Sequence, residues 1–300
     1  MKIFNSRMSR NLSIGVLTCL LACASLAQAQ TPSPLARVRG AGLDTLVVGR
    51  VTAYCAPADR SYATSLATLL DGAGGYFETE FGGGLPLHLA LLRPDAWFSP
   101  YEPDSVALYG LPWGWVPESL ITVPASLEEG ILIQGPDEKA NRRRVCFVML
   151  HEYGHLAAKR YLHPEGEQLY SSVRWFEEMI ATYFAYAFVH QADPDWAGAG
   201  RREWEAYVQR DPPDSATLDW RFMMKLSPQE FGRTYAWYQN LLNVRVAHLY
   251  DEQGLAFLHG ARDQLSWNHC DTWTTDALLT QLESFAPGFQ AWAAQLEQGQ

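Results

Sequence analysis

A helix-forming segment with two histidines in apolar surroundings constrains this chain more than any other feature. Residues 145–155 read Val-Cys-Phe-Val-Met-Leu-His-Glu-Tyr-Gly-His. In a helix, His151 and His155 stand one turn apart on one face, so both imidazoles can reach a single ion at about 2.0–2.1 Å. Glu152 projects from the neighbouring edge of that face, near enough to act on a metal-bound water. The pattern predicts a metal-binding pair with an adjacent general base.

The residues around this segment favour burial. Residues 145–150 are uncharged and mostly apolar, and Leu156, Ala157 and Ala158 follow the second histidine. A buried His-Glu-His group without a partner is costly, and a cation is its natural partner. The spacing alone leaves one alternative open, a surface histidine pair that arose by chance.

A second segment supplies a candidate third ligand. Residues 175–188 are strongly apolar, and only Glu177 and Glu178 among them are charged. A catalytic zinc keeps three protein ligands and one open position, so one of these glutamates is expected to complete the site. The alternative is that both lie near a helix N-terminus, where negative charge contributes about 0.3–1 kcal/mol.

Together the two segments resemble the gluzincin zinc metallopeptidases, the group that contains thermolysin and the aminopeptidase N family. In the latter the second segment reads Trp-Leu-Asn-Glu-Gly-Phe-Ala-x-Tyr, and its Glu binds zinc. Aligning that motif with residues 175–183 places the ligand at Glu178, and Glu177 stands where the family has Asn. There are 22 residues between His155 and Glu178, slightly more than in aminopeptidases.

The resemblance implies one Zn²⁺ per chain, held by His151, His155 and Glu178. It also implies the mechanism. Zinc lowers the pKa of a bound water to about 7 and polarises the scissile carbonyl. Glu152 takes the proton of that water and passes it to the leaving amine.

A tyrosine that stabilises the oxyanion is a further implication of the resemblance. Residues 235–254 are similar to the family helix that carries this tyrosine, and both Tyr235 and Tyr238 are candidates. Loss of such a hydrogen bond typically costs about 10²–10³ in rate. The alternative is that both tyrosines are core aromatics.

The chain also departs from the family in two places. It has no Gly-x-Met-Glu-Asn segment, which aminopeptidases use to hold the free amine of a substrate, so aminopeptidase activity does not follow. Thr182 stands where thermolysin-like enzymes place a carboxylate that orients a ligand. What orients His151 or His155 is therefore open.

The N-terminus reads as an export signal. Lys2, Arg7 and Arg10 precede an apolar stretch over residues 14–26, which closes with Ala-Gln-Ala at Ala29. This pattern predicts a signal peptide over residues 1–29, and removing 29 of the 300 residues leaves 271. We expect an exported protein, periplasmic or secreted. An uncleaved anchor is the weaker alternative, because the apolar run is short for a bilayer span of about 20 residues.

Cysteines and charge bear on anchoring and partners. Cys23 follows Leu-Leu-Ala, so a lipid anchor at this residue is a second interpretation of the leader. Export permits disulfides, and Cys55–Cys270 is a candidate pair, whereas Cys146 reads as a small buried hydrophobe.

Removal of the signal leaves 20 basic and 33 acidic residues. This acidic balance argues against nucleic acid or anionic lipid as a partner. A peptide or protein substrate is what the resemblance to the gluzincins implies.

The fold class predicted from these patterns is α+β. We expect a flexible leader over residues 30–40, an N-terminal α/β lobe with a mixed sheet over 41–165 that includes the histidine helix, and a mainly helical C-terminal lobe over 166–300. Strand signals cover Thr45–Tyr54, Leu85–Leu92 and Ser119–Val123. A helix starting at Tyr62 is expected to stop at the glycine-rich residues 71–75.

Substrate binding is expected along a sheet edge. Gluzincins pair an extended peptide with the edge strand beside the zinc helix, and Leu120–Val123 is the candidate edge. The loop Pro112–Trp115 is a candidate lining of the cleft. An ordinary sheet with a surface loop is the alternative.

Three functional classes follow from these patterns. The first is an exported zinc-dependent peptidase of the zincin-like fold. The second is a zinc hydrolase that acts on a non-peptide substrate at the same site. The third is a non-catalytic binding protein on a zincin scaffold, which the presence of Glu152 disfavours because binding needs no general base.

Overall fold

The computed structural model describes residues 32–98, 111–126, 138–162, 172–210 and 228–297. The predicted signal peptide, including Cys23, lies outside the described residues. The fold is α+β, as expected, with a five-stranded mixed sheet followed by a helical C-terminal region.

The described strands are β1 Asp44–Val48, β2 Val51–Cys55, β3 Leu87–Leu92, β4 Trp113–Trp115 and β5 Leu120–Pro124. The described α-helices are α1 Pro34–Gly40, α2 Arg60–Phe81, α3 Glu138–Tyr161, α4 Arg174–Ala192, α5 Pro194–Arg210, α6 Pro228–Gln253, α7 Ala256–Gln264, α8 Thr275–Phe285 and α9 Phe289–Glu297.

The sheet has the strand order β1-β2-β3-β5-β4. β2, β3 and β5 are parallel, whereas β1 and β4 run antiparallel to their neighbours. The single strand expected over Thr45–Tyr54 is a hairpin that turns at Gly49 and Arg50. Residues of β3 and β5 are almost all buried, because helices and loops cover both faces of these central parallel strands.

The predicted sheet edge was wrong. Leu120–Val123 belongs to β5, which lies between β3 and β4 and is buried along its whole length. Among the described residues, the edge beyond β5 is Trp113–Trp115, part of the loop expected to line the cleft. A strand of three residues with a central glycine, preceded by proline, gives a turn signal in sequence rather than a strand signal.

The helix expected to stop at residues 71–75 continues to Phe81. A Cβ atom on Gly74 would lie 2.6 Å from Cδ of Arg50. The Arg50 guanidinium crosses the helix here, with Nε 3.0 Å from Oδ1 of Asp71 and a further ion pair to Glu78. Gly74 and Gly75 therefore make room for a side chain from the β1–β2 turn, and the helix does not end there.

Part of the expected flexible leader, residues 30–40, is helical. Helix α1 begins at Pro34 after Ser33, whose hydroxyl caps the first turn. Val38 is buried in a small apolar cluster with Tyr54 and Leu120 on one face of the sheet. Packing against the sheet orders this segment, and the composition of the segment gives no sign of that packing.

One hydrophobic core includes residues from both predicted lobes. It extends from Leu46 in β1 to Leu296 in α9, across the expected boundary at residues 165 and 166. Helix α3 packs between the sheet and the C-terminal helices, so the histidine segment lies at the centre of the molecule. None of the helices in the described parts of the chain has both the length and the apolar composition of a membrane span.

The candidate Cys55–Cys270 disulfide is not formed in the structure, where Cys55, Cys146 and Cys270 are all free thiols. Cys55 ends β2, whereas Cys270 lies in a short 3₁₀ helix near the C-terminus, and both are buried. Cys146 packs partly buried against the core, and burial raises the pKa of its thiol to about 11, as expected of an apolar side chain rather than a reactive one.

Gly49 provides a test of the hairpin. Its φ is +54°, and a Cβ atom there would lie 2.2 Å from Oδ1 of Asp71. Gly42 has a similar φ of +69°, but a Cβ atom at this position would meet nothing within 4 Å, so it isolates the backbone strain. Gly42→Ala is expected to lower the free energy of unfolding by about 1–2 kcal/mol. Gly49→Ala is expected to lower it by about 1–3 kcal/mol more, from overpacking. Denaturant unfolding of both variants measures the difference, and equal losses would contradict this contact.

Candidate metal centre

Helices α3 and α4 approach each other closely at Gly154. A Cβ atom on this glycine would lie 2.2 Å from the carbonyl oxygen of Ala181 and 2.7 Å from its Cα atom. The two backbones are therefore in direct contact, which any larger residue at position 154 would prevent. This contact brings the face of α3 that carries His151 and His155 against the face of α4 that carries Glu178.

The ligand atoms of these three residues converge. Nε2 of His151 lies 3.1 Å from Oε2 of Glu178, and Nε2 of His155 lies 3.8 Å from the same oxygen. The three donor atoms all lie within 4.8 Å of one another. Bonds of about 2.0–2.1 Å at tetrahedral angles require donor atoms about 3.3 Å apart, so the arrangement needs only small adjustments. His151, His155 and Glu178 form a buried group that could hold a metal ion.

The chemistry of this donor set also fits a metal. Burial lowers the pKa of His155 to about 3, so its imidazole is neutral, as a ligand must be. Burial opposes ionisation of Glu178, but its hydrogen bond with His151 and the nearby positive charge of Arg174 hold its pKa well below the ordinary value. Burial likewise opposes protonation of His151, yet Glu178 raises its pKa, so a proton on His151 occupies the position that a cation would take.

Arg174 fixes the other side of the Glu178 carboxylate. Its Nη2 atom lies 3.1 Å from Oε1 of Glu178, and its Nη1 atom lies 2.6 Å from Oε2 of Glu177. Both glutamates lie one helical turn after Arg174, at the start of α4. Oε1 of Glu178 is thus engaged by the guanidinium, which leaves Oε2 directed at the two histidines. Glu177 pairs with Arg174 and is not part of the converging group.

Glu152 lies beside the ligand group and is hydrogen-bonded to the sheet edge. Its Oε2 atom accepts a hydrogen bond of 2.7 Å from the backbone N–H of Gly114 in β4. Burial raises the pKa of Glu152 to about 7, and the negative charge of Glu178 adds to this effect. A Cβ atom on Gly114 would lie 2.9 Å from the same oxygen, so a larger residue at this position in β4 would crowd the Glu152 carboxylate. The expected general base is therefore beside the site without being one of its converging donors.

The structure brings Tyr235 to the site. Its hydroxyl donates to Oε2 of Glu178 over 3.4 Å, whereas Tyr238 is buried in the core with its ring against Trp237. The side chain at position 235 points towards α4 because Tyr235 shares one face of α6 with Gln239, one turn later.

Three residues near His151 were not predicted as partners. Nδ1 of His151 lies 3.1 Å from Oγ1 of Thr182. Gln239 and Asn243 from α6 hydrogen-bond to the same hydroxyl. A sequence signal for this network exists. Polar residues recur every four positions in both helices, and a four-residue spacing places them on one face. In α4 these residues are Arg174, Glu178 and Thr182, and in α6 they are Tyr235, Gln239 and Asn243.

Comparison of the chain with protein-family models and with curated proteins gives no match. The interpretation of the site therefore depends on its geometry and its motifs.

Gly154 provides a test of the helix contact that forms the site. Gly154→Ala is expected to push α3 and α4 apart, because the new Cβ atom meets the backbone of Ala181. We expect a loss of about 1–3 kcal/mol in stability and at least about a tenfold loss in zinc affinity, since such sites tolerate displacements of only about 0.5 Å. Chelator competition measures the affinity, and thermal unfolding measures the stability.

The matched control is Gly260→Ala in α7, where a Cβ atom would lie 2.6 Å from Cδ2 of Phe285. It overpacks the core away from the site and is expected to lower stability without changing zinc affinity. Equal zinc affinity of the Gly154→Ala variant and the wild type would show that the close approach of the helices does not form the site.

Proposed function

We propose that this protein is a zinc-dependent peptidase of the gluzincin type with a zincin-like fold. The observation that carries the proposal is the convergence of donor atoms from His151, His155 and Glu178 within 4.8 Å, beside the carboxylate of Glu152. Two imidazoles and one carboxylate are a known donor set for catalytic zinc, which keeps its fourth position open.

Zinc bound by these three residues would polarise a substrate carbonyl and acidify a water molecule. The protein's own residues would transfer the proton and position the ligands. Gly114 holds Oε2 of Glu152 by its N–H group, so we assign Oε1 to the proton transfer. Glu152 accepts the proton of the attacking water there and delivers it to the leaving amine. Arg174 holds Oε1 of Glu178 and so keeps Oε2 aimed at the metal position.

The edge strand suggests the substrate class. Gly114 is opposite Ile121 in the antiparallel pair of β4 and β5, yet its N–H points to Glu152 and so away from β5. The outward side of β4 is thus adjacent to the proposed general base. An extended peptide that lies along the outward side of β4 would pass beside Glu152, which favours a peptide over a compact substrate. This strand replaces Leu120–Val123 as the proposed binding edge.

We also propose that the protein is exported. The support is the basic and then apolar pattern of residues 1–29, with its Ala-Gln-Ala end.

Variants at Glu152 and Glu178 distinguish the residue proposed for catalysis from the residue proposed for metal binding. Glu152→Gln is expected to keep one zinc per chain and to lower peptide hydrolysis by about 10²–10⁴-fold, because the amide cannot accept the proton. Glu178→Ala is expected to lose the zinc, because only two ligands are left. Metal analysis and hydrolysis of a mixed peptide library measure these effects in full-length protein.

Parallel assays with esters and glycosides test the non-peptide alternative. Zinc binding with hydrolysis of those substrates but not of peptides would replace the peptidase with a hydrolase of another class. Zinc binding with no hydrolysis would indicate a binding protein. Full activity of Glu152→Gln would contradict the proposed general base.

The two tyrosines can be distinguished in the same assay. Tyr235→Phe is expected to lower kcat by about 10²–10³-fold with little change in zinc content, because the lost hydroxyl is assigned to the oxyanion and not to the metal. Tyr238→Phe is the control, since it removes a hydroxyl from the same helix. A larger loss in Tyr238→Phe than in Tyr235→Phe would reverse the assignment.

A further inference from the structure

The orientation of His151 depends on a hydrogen bond from the side of the ring that faces away from Glu178. Nδ1 of this ring lies 3.1 Å from Oγ1 of Thr182. Thr182 is fully buried, and Asn243, which contacts it, is 5 % exposed. The hydrogen bonds of this hydroxyl are therefore decided by its protein neighbours.

Those neighbours determine where the hydroxyl hydrogen goes. Gln239 donates from Nε2 to Oγ1 of Thr182 over 3.0 Å and to Oδ1 of Asn243 over 3.2 Å. Thr182 donates its hydroxyl hydrogen to Oδ1 of Asn243 over 3.3 Å. A hydroxyl has one hydrogen and two lone pairs. With the hydrogen given to Asn243 and one lone pair taken by Gln239, only a lone pair remains for His151.

The ring must then be the donor in the bond to Thr182. A hydrogen on Nδ1 leaves the lone pair of the neutral imidazole on Nε2, the atom that faces Glu178. We infer that Thr182, held in place by Gln239 and Asn243, is a positioning residue that selects the Nδ1–H tautomer of His151 and so presents Nε2 to the metal. The network is uncharged, unlike the carboxylate that thermolysin-like enzymes have at the position of Thr182.

This inference rests on the proposed metal site and is independent of peptidase activity. Outer partners of a ligating histidine typically contribute 10–100-fold to metal affinity. Thr182→Val keeps the shape of the side chain and removes the acceptor, so zinc affinity is expected to fall by about 10–100-fold. Thr182→Ser keeps the hydroxyl and is expected to bind zinc like the wild type.

Thr122→Val is the matched control. Thr122 is also fully buried, but its hydroxyl donates over 3.5 Å to the carbonyl of Trp113 in the sheet, so it is not a partner of His151. Its zinc affinity is expected to be that of the wild type. The experiment is competition for Zn²⁺ with a chromophoric chelator in full-length protein, with thermal unfolding of the metal-free form as a check on folding.

Asn243→Leu distinguishes an effect of the His151 tautomer on zinc affinity from an effect of side-chain packing around Thr182. Without Oδ1 of Asn243, the Thr182 hydroxyl can rotate and donate to Nδ1, which favours the opposite tautomer. Zinc affinity is expected to fall although Asn243 is not one of the three ligands. The double variant Thr182→Val/Asn243→Leu is expected to bind zinc no more weakly than Thr182→Val alone, because both changes act through one hydrogen bond. Additive losses would overturn the inference.

Nitrogen-15 NMR of the imidazole rings tests the tautomer in the wild type and needs no variant. The expected spectrum of the zinc-loaded protein has His151 protonated at Nδ1 and metal-bound at Nε2, and the reverse assignment would overturn the inference. Wild-type zinc binding together with unchanged affinity in Thr182→Val would overturn this inference alone. Absence of zinc binding in the wild type would overturn both it and the proposed function.

Discussion

The close approach of α3 and α4 at Gly154 is the contact on which the site depends. Two helices normally pack 8–10 Å apart because side chains separate them, but here a glycine lies directly on the backbone of Ala181. One residue further along α3 is His155, and three residues before Ala181 in α4 is Glu178. The short distance between their donor atoms follows from this backbone contact.

Because the Glu178 carboxylate is buried, its charge has to be balanced by neighbouring positive charges. Glu178 is 3 % exposed and ionised, so its charge must be balanced within the protein. Arg174 balances it from one side, and a proton on His151 or a bound cation balances it from the other. The arrangement thus has a place for positive charge between the histidines and Glu178. The polar face of α6 then surrounds this place with neutral hydrogen-bonding groups.

The sequence predicts the site better than the surrounding sheet. His151, His155 and Glu178 have a short motif and strongly apolar flanks, and both signals are visible in a single sequence. The edge strand Trp113–Trp115 is too short for a strand signal, so the wrong strand was assigned to the edge. The glycine-rich residues 71–75 were wrongly predicted to end a helix. Gly74 and Gly75 instead make room for the side chain of Arg50, which comes from a turn more than 20 residues earlier in the chain. Long-range contacts of this kind leave no local pattern.

The most direct measurement is X-ray absorption at the zinc edge on the purified full-length protein. One zinc per chain with two imidazole nitrogens and carboxylate or water oxygens at about 2.0–2.1 Å, and no sulfur, is the predicted result. A spectrum with a thiolate at about 2.3 Å, or a protein that takes up no zinc, would contradict the account. In either case the convergence of His151, His155 and Glu178 would need another explanation, with Arg174 and a protonated His151 as the charges that stabilise Glu178.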